Sequence, residues 1–344
     1  MEKRVLVGRW LASDTQPLPI YDEASVSSAR ERVRQAGRQW NAPNELIENV
    51  ALIASELTHN HLAHARQGYF IVRSIERQGI RGLEVVAADL GPGIEKPIVA
   101  ASRGYSPGES LRAGLAAVFR IADEVELDSR VAEGACIVAR KFESRVEKWS
   151  EVAILGRPYP GQAISGDDAV FIQTESGLLA AVCDGLGHGP EARQASNCAV
   201  DVVRASDQLG LDEIVMRVNV ALARFRGCAM SIVRFNKAAR EMECLAAGDV
   251  HVHLYSPQGA HYFTPVPLVL RGVEIPPRKL RVERTPVDAG SVLVMFTDGL
   301  MSRTSLKGRL DLLRQPPMAL AQHLIETEAR ATDDALVLVA RLKA

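Results

Sequence analysis

Four acidic motifs in the second half of the chain each stand at one end of an apolar run that is typical of a buried β-strand. The motifs are Gly166-Asp167-Asp168, Asp184-Gly185, Asp298-Gly299 and Asp333-Asp334. Because strand ends can converge at one edge of a sheet, we expect these carboxylates to share a small volume. Packed like charges repel and need a cation to hold them, and hard divalent ions prefer oxygen ligands. The sequence therefore predicts a carboxylate-bound metal centre.

The chain is long enough for two domains. Of its 344 residues, 47% are hydrophobic and 24% charged, which is the composition of a globular protein. This length is greater than that of an ordinary domain with a single core. An apolar run at 136–139 gives way to charged residues at 143–149, and no internal repeat is present. We place the boundary there, with one domain at 1–147 and the other at 148–344.

Composition also limits the partners and the compartment. The formal net charge of −1 predicts neither nucleic acid nor an anionic membrane as a partner. No apolar run approaches the roughly 18–20 residues that span a bilayer, and the first residues lack a signal-peptide pattern. The five cysteines are scattered and never paired as C-x-x-C, which is typical of a reducing compartment. We therefore expect a cytoplasmic protein.

Both halves mix helices and strands, which indicates an α+β fold. In the first half, Asp22 is expected to cap a helix that ends near Gln39, and Asn44 a second helix. Strands are predicted at about 69–74 and 83–88, and a further helix at 111–121. The second half alternates strands with helices near 191–206, 211–225 and 317–330.

The four acidic motifs, in this order, resemble the metal-dependent protein serine/threonine phosphatases of the SpoIIE-type bacterial branch over roughly residues 150–344. The resemblance implies an α-β-β-α sandwich that holds two Mn²⁺ or Mg²⁺ ions. The ligands that it implies are Asp167, Asp184, the Gly185 carbonyl, Asp298 and Asp333, with Asp167 and Asp184 at the catalytic centre.

Some positions of this metal centre stay open. Asp168 is an alternative to Asp167, and Asp334 is an alternative to Asp333. The family usually continues its last motif with a threonine where this chain has Leu336, so a hydroxyl that orients the ligand is expected to be missing.

The resemblance also implies a reaction. An activated water attacks the phosphorus of a phosphoserine or phosphothreonine in line, and no covalent intermediate is needed. The absence of a C-x5-R cysteine signature agrees with this. His188 is either a proton donor to the leaving alkoxide or a solvent-exposed turn residue.

The first half resembles the GHKL ATPase fold over about residues 24–142, and most of all the serine kinases of bacterial sigma-factor partner switching. The motif residues lie on the second predicted helix and in the turn after a predicted strand. The resemblance implies that Asn60 binds Mg²⁺, that Glu56 is a candidate base and that Asp89 accepts from the adenine amino group. Gly91 and Gly93 would allow the backbone to approach the nucleotide.

The phosphate loop of that family is glycine-rich, of the form G-x-G-x-G-L. Here only Gly114 stays in register, with Ser110 and Arg112 in the other glycine places. The Arg112 side chain either blocks the backbone approach or supplies a cation to the phosphates. Mg·ATP is therefore a possible cofactor of this half, with phosphotransfer left open.

Three histidines, at 59, 61 and 64, lie near the end of the second predicted helix. A zinc site there lacks a convincing ligand set. We expect these histidines to interact favourably with the helix C-terminus instead.

Together the motifs predict a phosphatase fused to an anti-sigma-type kinase-like module in bacterial partner-switching or stress signalling. The resemblance implies that the substrate is a phosphorylated STAS-domain antagonist or scaffold protein. Three alternatives remain: a phosphatase whose first half only binds a partner, a catalytically dead scaffold, and an enzyme for small phosphoesters.

Overall fold

The computed structural model of the chain describes residues 16–65, 67–77, 79–94, 110–146, 150–173 and 176–343. Its compact units are Met1–Val152 and Ala153–Ala344, so the division falls inside the strand Ser150–Arg157. No helix of the described part is long and apolar enough to cross a membrane.

The first unit is an antiparallel sheet with helices. Its elements are β1 Leu18–Ile20, α1 Glu23–Arg38, α2 Asn44–His64, β2 Gly68–Arg77, β3 Ile80–Asp89, α3 Ser110–Ile121, β4 Glu124–Arg130 and β5 Gly134–Phe142. The strand order is β1-β2-β3-β5-β4, with every neighbouring pair antiparallel. Helices α1 and α2 pack together and against β2 and β3, which gives an α/β sandwich, as the resemblance to the GHKL ATPase fold implies.

The starts of α1 and α2 differ in their caps. At α1 the predicted cap is confirmed, because the Ser25 amide donates to Asp22 Oδ1 at 2.7 Å and the Asp22 amide donates to Ser25 Oγ at 3.1 Å. The predicted Asn44 cap is wrong. Pro43 occupies the cap position with φ −55°, and Asn44 is the first helical residue, without a capping hydrogen bond.

A network of buried charges crosses one face of this sheet. Arg140 on β5 lies opposite Glu84 on β3 and Glu124 on β4. Its guanidinium donates to Glu84 at 2.7 Å and to Glu126 at 2.5 Å, and Arg77 pairs with Glu124. All three glutamates are less than a tenth exposed. A buried carboxylate is tolerated only when it is paired, so this face depends on its arginines.

The second unit has two sheets and four helices among its described residues. Its elements are β6 Ser150–Arg157, β7 Asp168–Gln173, β8 Gly177–Gly185, α4 Pro190–Ala205, α5 Leu211–Ala221, β9 Cys228–Asn236, β10 Glu241–Ala247, β11 His251–Ser256, β12 Gly259–Phe263, β13 Glu283–Pro286, β14 Val292–Phe296, α6 Leu310–Leu313, α7 Pro317–Glu328 and β15 Ala335–Leu342. Short 3₁₀ turns lie at Leu222–Arg224 and Pro277–Lys279.

These elements form the predicted α-β-β-α sandwich. One sheet has the order β6-β15-β14-β11-β12 and the other β13-β10-β9-β8-β7. Helices α4 and α5 cover the second sheet, and α7 packs on β15 of the first. A core of fully buried apolar side chains, including Ala181, Val200 and Ile232, fills the space between α4, α5 and their sheet.

Replacing Arg140 by Met tests the buried network. The variant leaves buried carboxylates without their shared partner, and we expect a loss of about 3–5 kcal/mol in the free energy of unfolding of the first unit. No tryptophan lies in residues 153–344, and Trp40 packs beside Arg81 in the first unit, so tryptophan emission during denaturation of the full chain reports on this unit.

The matched control is Arg34→Met. Arg34 also binds a glutamate through two 2.9 Å hydrogen bonds, but it joins α1 to α2 at the surface, with its side chain 32% exposed. A surface pair is worth less than about 1 kcal/mol. Equal losses in the two variants would contradict a special role for the buried network.

Candidate functional site

The strand ends bring the four predicted carboxylates together. Asp167 directly precedes β7 and Asp184 lies at the end of β8, while Asp298 follows β14 and Asp333 precedes β15. Within each sheet the two strands are antiparallel neighbours, so the start of one lies beside the end of the other. The charges of Asp298 and Asp333 act on Asp184, and that of Asp184 acts on Asp167. The two sheets thus deliver one carboxylate pair each to a common place.

Asp167 is held by a hydroxyl of the opposite sheet. Its side chain is 2% exposed, and Thr297 Oγ1 donates to its Oδ2 at 2.7 Å. The same Thr297 oxygen accepts from the backbone amide of Leu336 at 3.0 Å. The sequence predicted that Leu336 leaves an orienting hydroxyl missing. The structure shows Thr297 supplying one to Asp167, while the Leu336 side chain is fully buried.

Electrostatics at this place favour a cation. Burial, together with the charges of Asp298 and Asp333, raises the pKa of Asp184 to about 8. Burial and the charge of Asp184 hold the pKa of Asp167 well above its usual range. Burial also raises the pKa of Asp298, to which the Asp333 charge adds. Bound dications would offset this repulsion, and an all-oxygen donor set suits Mg²⁺ or Mn²⁺.

Pairs of carboxylates suit hydrated ions. In the described ranges no three acidic, histidine or cysteine side chains are arranged to hold one ion between them. Mg²⁺ commonly takes one or two carboxylates and keeps several waters. Pairs of aspartates at a sheet edge match that mode of binding.

The backbone around Gly185 is too close-packed for a side chain. A Cβ there would lie 2.3 Å from the Ala192 carbonyl oxygen on α4 and 2.9 Å from that of Gly166. Glycine is therefore required at this position for a steric reason. Its carbonyl as a metal ligand stays a prediction.

The alternative aspartates have other partners. Asp334 is 3% exposed, and its two oxygens accept from the backbone amides of Tyr159 at 2.6 Å and Gly166 at 2.7 Å. Asp168 is fully buried and lies 3.8 Å from Arg193. Both are thus occupied in fixing the protein, which favours Asp167 and Asp333 as ligands.

Two features at the mouth of the site complete its description. His188 is exposed, stacks on Tyr159 at 5.0 Å and contacts Gln162 at 2.5 Å. Asp249, between β10 and β11, is a carboxylate that the sequence analysis missed, and its charge raises the pKa of Asp298. Asp249 follows the apolar run 244–247 and Gly248, so it shares with the other four motifs the pattern of an acidic residue and a glycine or second acid at the end of an apolar run.

The first unit gathers its predicted residues around α2 and α3. A Cβ on Gly114 of α3 would lie 2.6 Å from Glu56 Oε2 and 3.5 Å from Asn60 Oδ1 on α2. These three residues therefore form one cluster. Residues 95–109 and the side chains of Ser110 and Arg112 lie outside the described residues, so the phosphate loop stays a prediction.

Asp89 and the glycines after it form the other side of a cavity. Its Oδ1 accepts from the Gly91 amide at 2.7 Å, and burial raises its pKa to about 6. Gly93 has φ +74°, and a Cβ there would meet the Arg130 carbonyl oxygen at 2.4 Å. The cavity has a volume of about 40 Å³. It is lined by Leu57, Asn60, His61, His64, Asp89, Pro92, Gly93, Ile94, Leu115, Ala135 and Ile137.

Asn60 and His61 present buried polar atoms to this region. Asn60 Nδ2 and His61 Nδ1 are both buried without a hydrogen-bond partner within the described ranges. His61 was expected to act on the helix terminus, but it is 4% exposed and lines the cavity. Burial lowers its pKa to about 4. The residues present therefore fit a polar ligand with both donors and acceptors.

Comparison with protein families matches a different family to each half of the chain. Residues 174–343 match the family model of stage II sporulation protein E (SpoIIE), and residues 21–141 match that of the histidine kinase-like ATPase domain. The fusion predicted from the sequence is thereby confirmed.

Two proteins of Bacillus subtilis (strain 168) are similar to parts of the chain. Phosphoserine phosphatase RsbX is 30% identical over 141 residues, which is 41% of this chain and 69% of RsbX. Serine/threonine-protein kinase RsbT is 29% identical over 130 residues, which is 38% of this chain and 98% of RsbT.

Solved structures share the fold. A chain from work on the bacterial stressosome, a modular system adapted to control secondary messenger signalling, is 28% identical with a TM-score of 0.53 and covers 57% of this chain and 100% of its own length. RsbX in complex with magnesium is 24% identical with a TM-score of 0.51, over 58% of this chain and 98% of that one.

The neighbouring aspartates 333 and 334 give a test of this geometry. Asp334→Asn turns an amide N–H toward a backbone N–H, and we expect it to destabilise the second unit by about 1–3 kcal/mol. Asp333→Asn relieves repulsion, so it should keep that unit's stability without metal but lose most of the stabilisation by Mn²⁺. Calorimetric melting with and without Mn²⁺ measures both. If Asp334→Asn instead lost the stabilisation by Mn²⁺ and Asp333→Asn instead destabilised the unit without metal, Asp334 would be the ligand.

Proposed function

The chain belongs to the SpoIIE family of metal-dependent serine/threonine phosphatases and carries a histidine kinase-like ATPase module, and from this premise we propose that it dephosphorylates a serine or threonine of a partner protein in bacterial partner-switching signalling. The observation that carries the proposal is the convergence of Asp167, Asp184, Asp298 and Asp333 from two sheets, which the hydrogen bonds of Thr297 to Asp167 and of Gly166 to Asp334 join.

We assign the cations to these four carboxylates and to the Gly185 carbonyl. Mn²⁺ or Mg²⁺ ions held there would lower the pKa of a bound water and offset charge on the phosphoryl oxygens. Asp184 takes the central place, because the charges of Asp298 and Asp333, at the strand ends of the other sheet, act on it.

The protein fixes the carboxylates before any ligand arrives. The Thr297 hydroxyl orients Asp167. Asp334 accepts a hydrogen bond from the amide of Gly166, the residue that precedes Asp167. Ligands held by packing and hydrogen bonds need no reorganisation during the reaction. His188 stands at the mouth, stacked on Tyr159, where it can meet a substrate from solvent.

The partner that we propose is a phosphorylated STAS-domain antagonist or scaffold protein in the cytoplasm. The support is the occurrence in one chain of segments similar to a phosphoserine phosphatase and to a serine/threonine-protein kinase. All five cysteines are free thiols, which suits a reducing compartment.

For the first unit we propose binding of Mg·ATP or Mg·ADP. Asn60 would hold the Mg²⁺ ion, Glu56 is the candidate base and Asp89 would accept from the adenine amino group. The support is the buried, unpartnered Asn60 amide within the described part, beside the acceptor Asp89 on one cavity. A partner-binding module without nucleotide is the alternative.

Asp184→Asn tests the phosphatase. Loss of a direct ligand should reduce Mn²⁺-dependent phosphate release by more than the roughly 10–100-fold that loss of an outer-shell partner costs. Phosphate release from a serine-phosphorylated STAS-domain protein and from p-nitrophenyl phosphate is measured side by side. The control Asp212→Asn removes an exposed carboxylate on α5 and should change neither rate.

Unchanged hydrolysis in Asp184→Asn would overturn the metal assignment. Turnover of p-nitrophenyl phosphate alone, with the phosphoprotein left intact, would favour an enzyme for small phosphoesters. Inactivity of the unsubstituted chain toward both would favour a scaffold.

Nucleotide binding is tested by denaturing the full chain with Mg·ADP or Mg·ATP while tryptophan emission reports on the first unit. A ligand at about 100 times its dissociation constant stabilises by about 2.7 kcal/mol. We expect such a shift in the unsubstituted protein and its loss in Asp89→Asn. No shift with either nucleotide would leave the partner-binding alternative.

A further inference from the structure

His61 is a buried imidazole whose ring makes no hydrogen bond to the residues that the structure describes. Its side chain is 5% exposed, and its Nε2 lies 3.8 Å from Asp89 Oδ2, beyond hydrogen-bonding distance. Its Nδ1 is buried and also unpartnered in the part of the chain that the structure describes. Buried polar groups are nearly always hydrogen-bonded, so an imidazole without a partner among the described residues can take one from a ligand.

Packing fixes the direction in which this imidazole points. Gly68 faces the ring so closely that a Cβ there would lie 2.2 Å from His61 Nδ1. Gly68 is also the cross-strand partner of Asp89 in the β2–β3 hairpin. The ring is therefore confined between α2 and this hairpin, with Nδ1 toward the glycine and Nε2 toward the carboxylate.

The gap between Nε2 and Asp89 belongs to the cavity that both residues line. Asp89 Oδ1 is already used by the Gly91 amide, whereas Oδ2 faces the imidazole. A hydrogen on Nε2 is favoured opposite a carboxylate oxygen. The cavity thus presents a donor and an acceptor side by side, 3.8 Å apart.

We propose that His61 is a specificity-determining residue that reads the base of the nucleotide together with Asp89. Adenine N1 accepts from His61 Nε2, while the N6 amino group donates to Asp89 Oδ2. The inference rests on the nucleotide binding proposed above for the first unit. Both residues line the same cavity, next to Asn60.

The same pair discriminates against 6-oxopurines. In this orientation hypoxanthine or guanine places N1–H opposite the imidazole donor and O6 opposite the carboxylate. The first contact then sets two donors against each other, and the second sets two acceptors against each other. A site built from buried hydrogen-bonding groups rejects such an analogue strongly, because its own polar atoms are left unpaired.

Calorimetric titration of the full chain with three Mg²⁺-loaded nucleotides tests this. Relative to ADP, 1-deaza-ADP lacks only the N1 acceptor and should bind about tenfold more weakly, the worth of one neutral hydrogen bond. IDP, with a 6-oxopurine base, should bind at least about 100-fold more weakly. In His61→Leu we expect ADP to weaken about tenfold and to equal 1-deaza-ADP.

His61→Gln is the matched variant, since its amide N–H takes the place of Nε2–H and should restore the preference for ADP over 1-deaza-ADP. Equal binding of ADP and 1-deaza-ADP by the unsubstituted chain would overturn the role of His61 and leave nucleotide binding intact. Binding of none of the three would overturn both. The comparison within the unsubstituted chain decides even where a variant fails to fold.

Discussion

Repulsion among aspartates is the constraint on which the phosphatase unit depends. In each sheet the end of one strand lies beside the start of its antiparallel neighbour, and each of these two strand termini carries a carboxylate. The surrounding groups hold these charges close: Thr297 donates to Asp167, backbone amides donate to Asp334, and Arg193 lies beside Asp168. Because the charges raise one another's pKa values, cation binding and the stability of this unit are linked.

Much of this site was predictable from the sequence, because its signals are local. An apolar run followed by aspartate and glycine identifies a strand end without any tertiary information, and the Asp22 cap is equally local. The bonds that fix the site are not local. Thr297 and Asp167 are 130 residues apart, and Asp334 and Gly166 are 168 apart. No spacing along the chain reveals such pairs, so the orienting role of Thr297 appeared only in the fold.

In the first unit, too, local features could be predicted from the sequence, whereas contacts between distant segments could not. Glu56 and Asn60 stand four residues apart on one helix, so their common face could be predicted. The environment of His61 depends on a hairpin glycine, and that of Arg140 depends on glutamates of neighbouring strands. Cross-strand neighbours are set by register, which the sequence specifies only through the complete sheet.

Thr297 and Leu336 contact each other through two hydrogen bonds, which fix both ends of the chain segment between them. The Thr297 amide donates to the Leu336 carbonyl oxygen at 3.1 Å, and the Leu336 amide donates to the Thr297 hydroxyl at 3.0 Å. The segment between these residues leaves and returns at one fixed point. Lengthening such a loop adds closure entropy only slowly. Insertions in the loops of this connection, away from Asp298, Asp333 and Asp334, therefore cost little stability and leave the carboxylates in place.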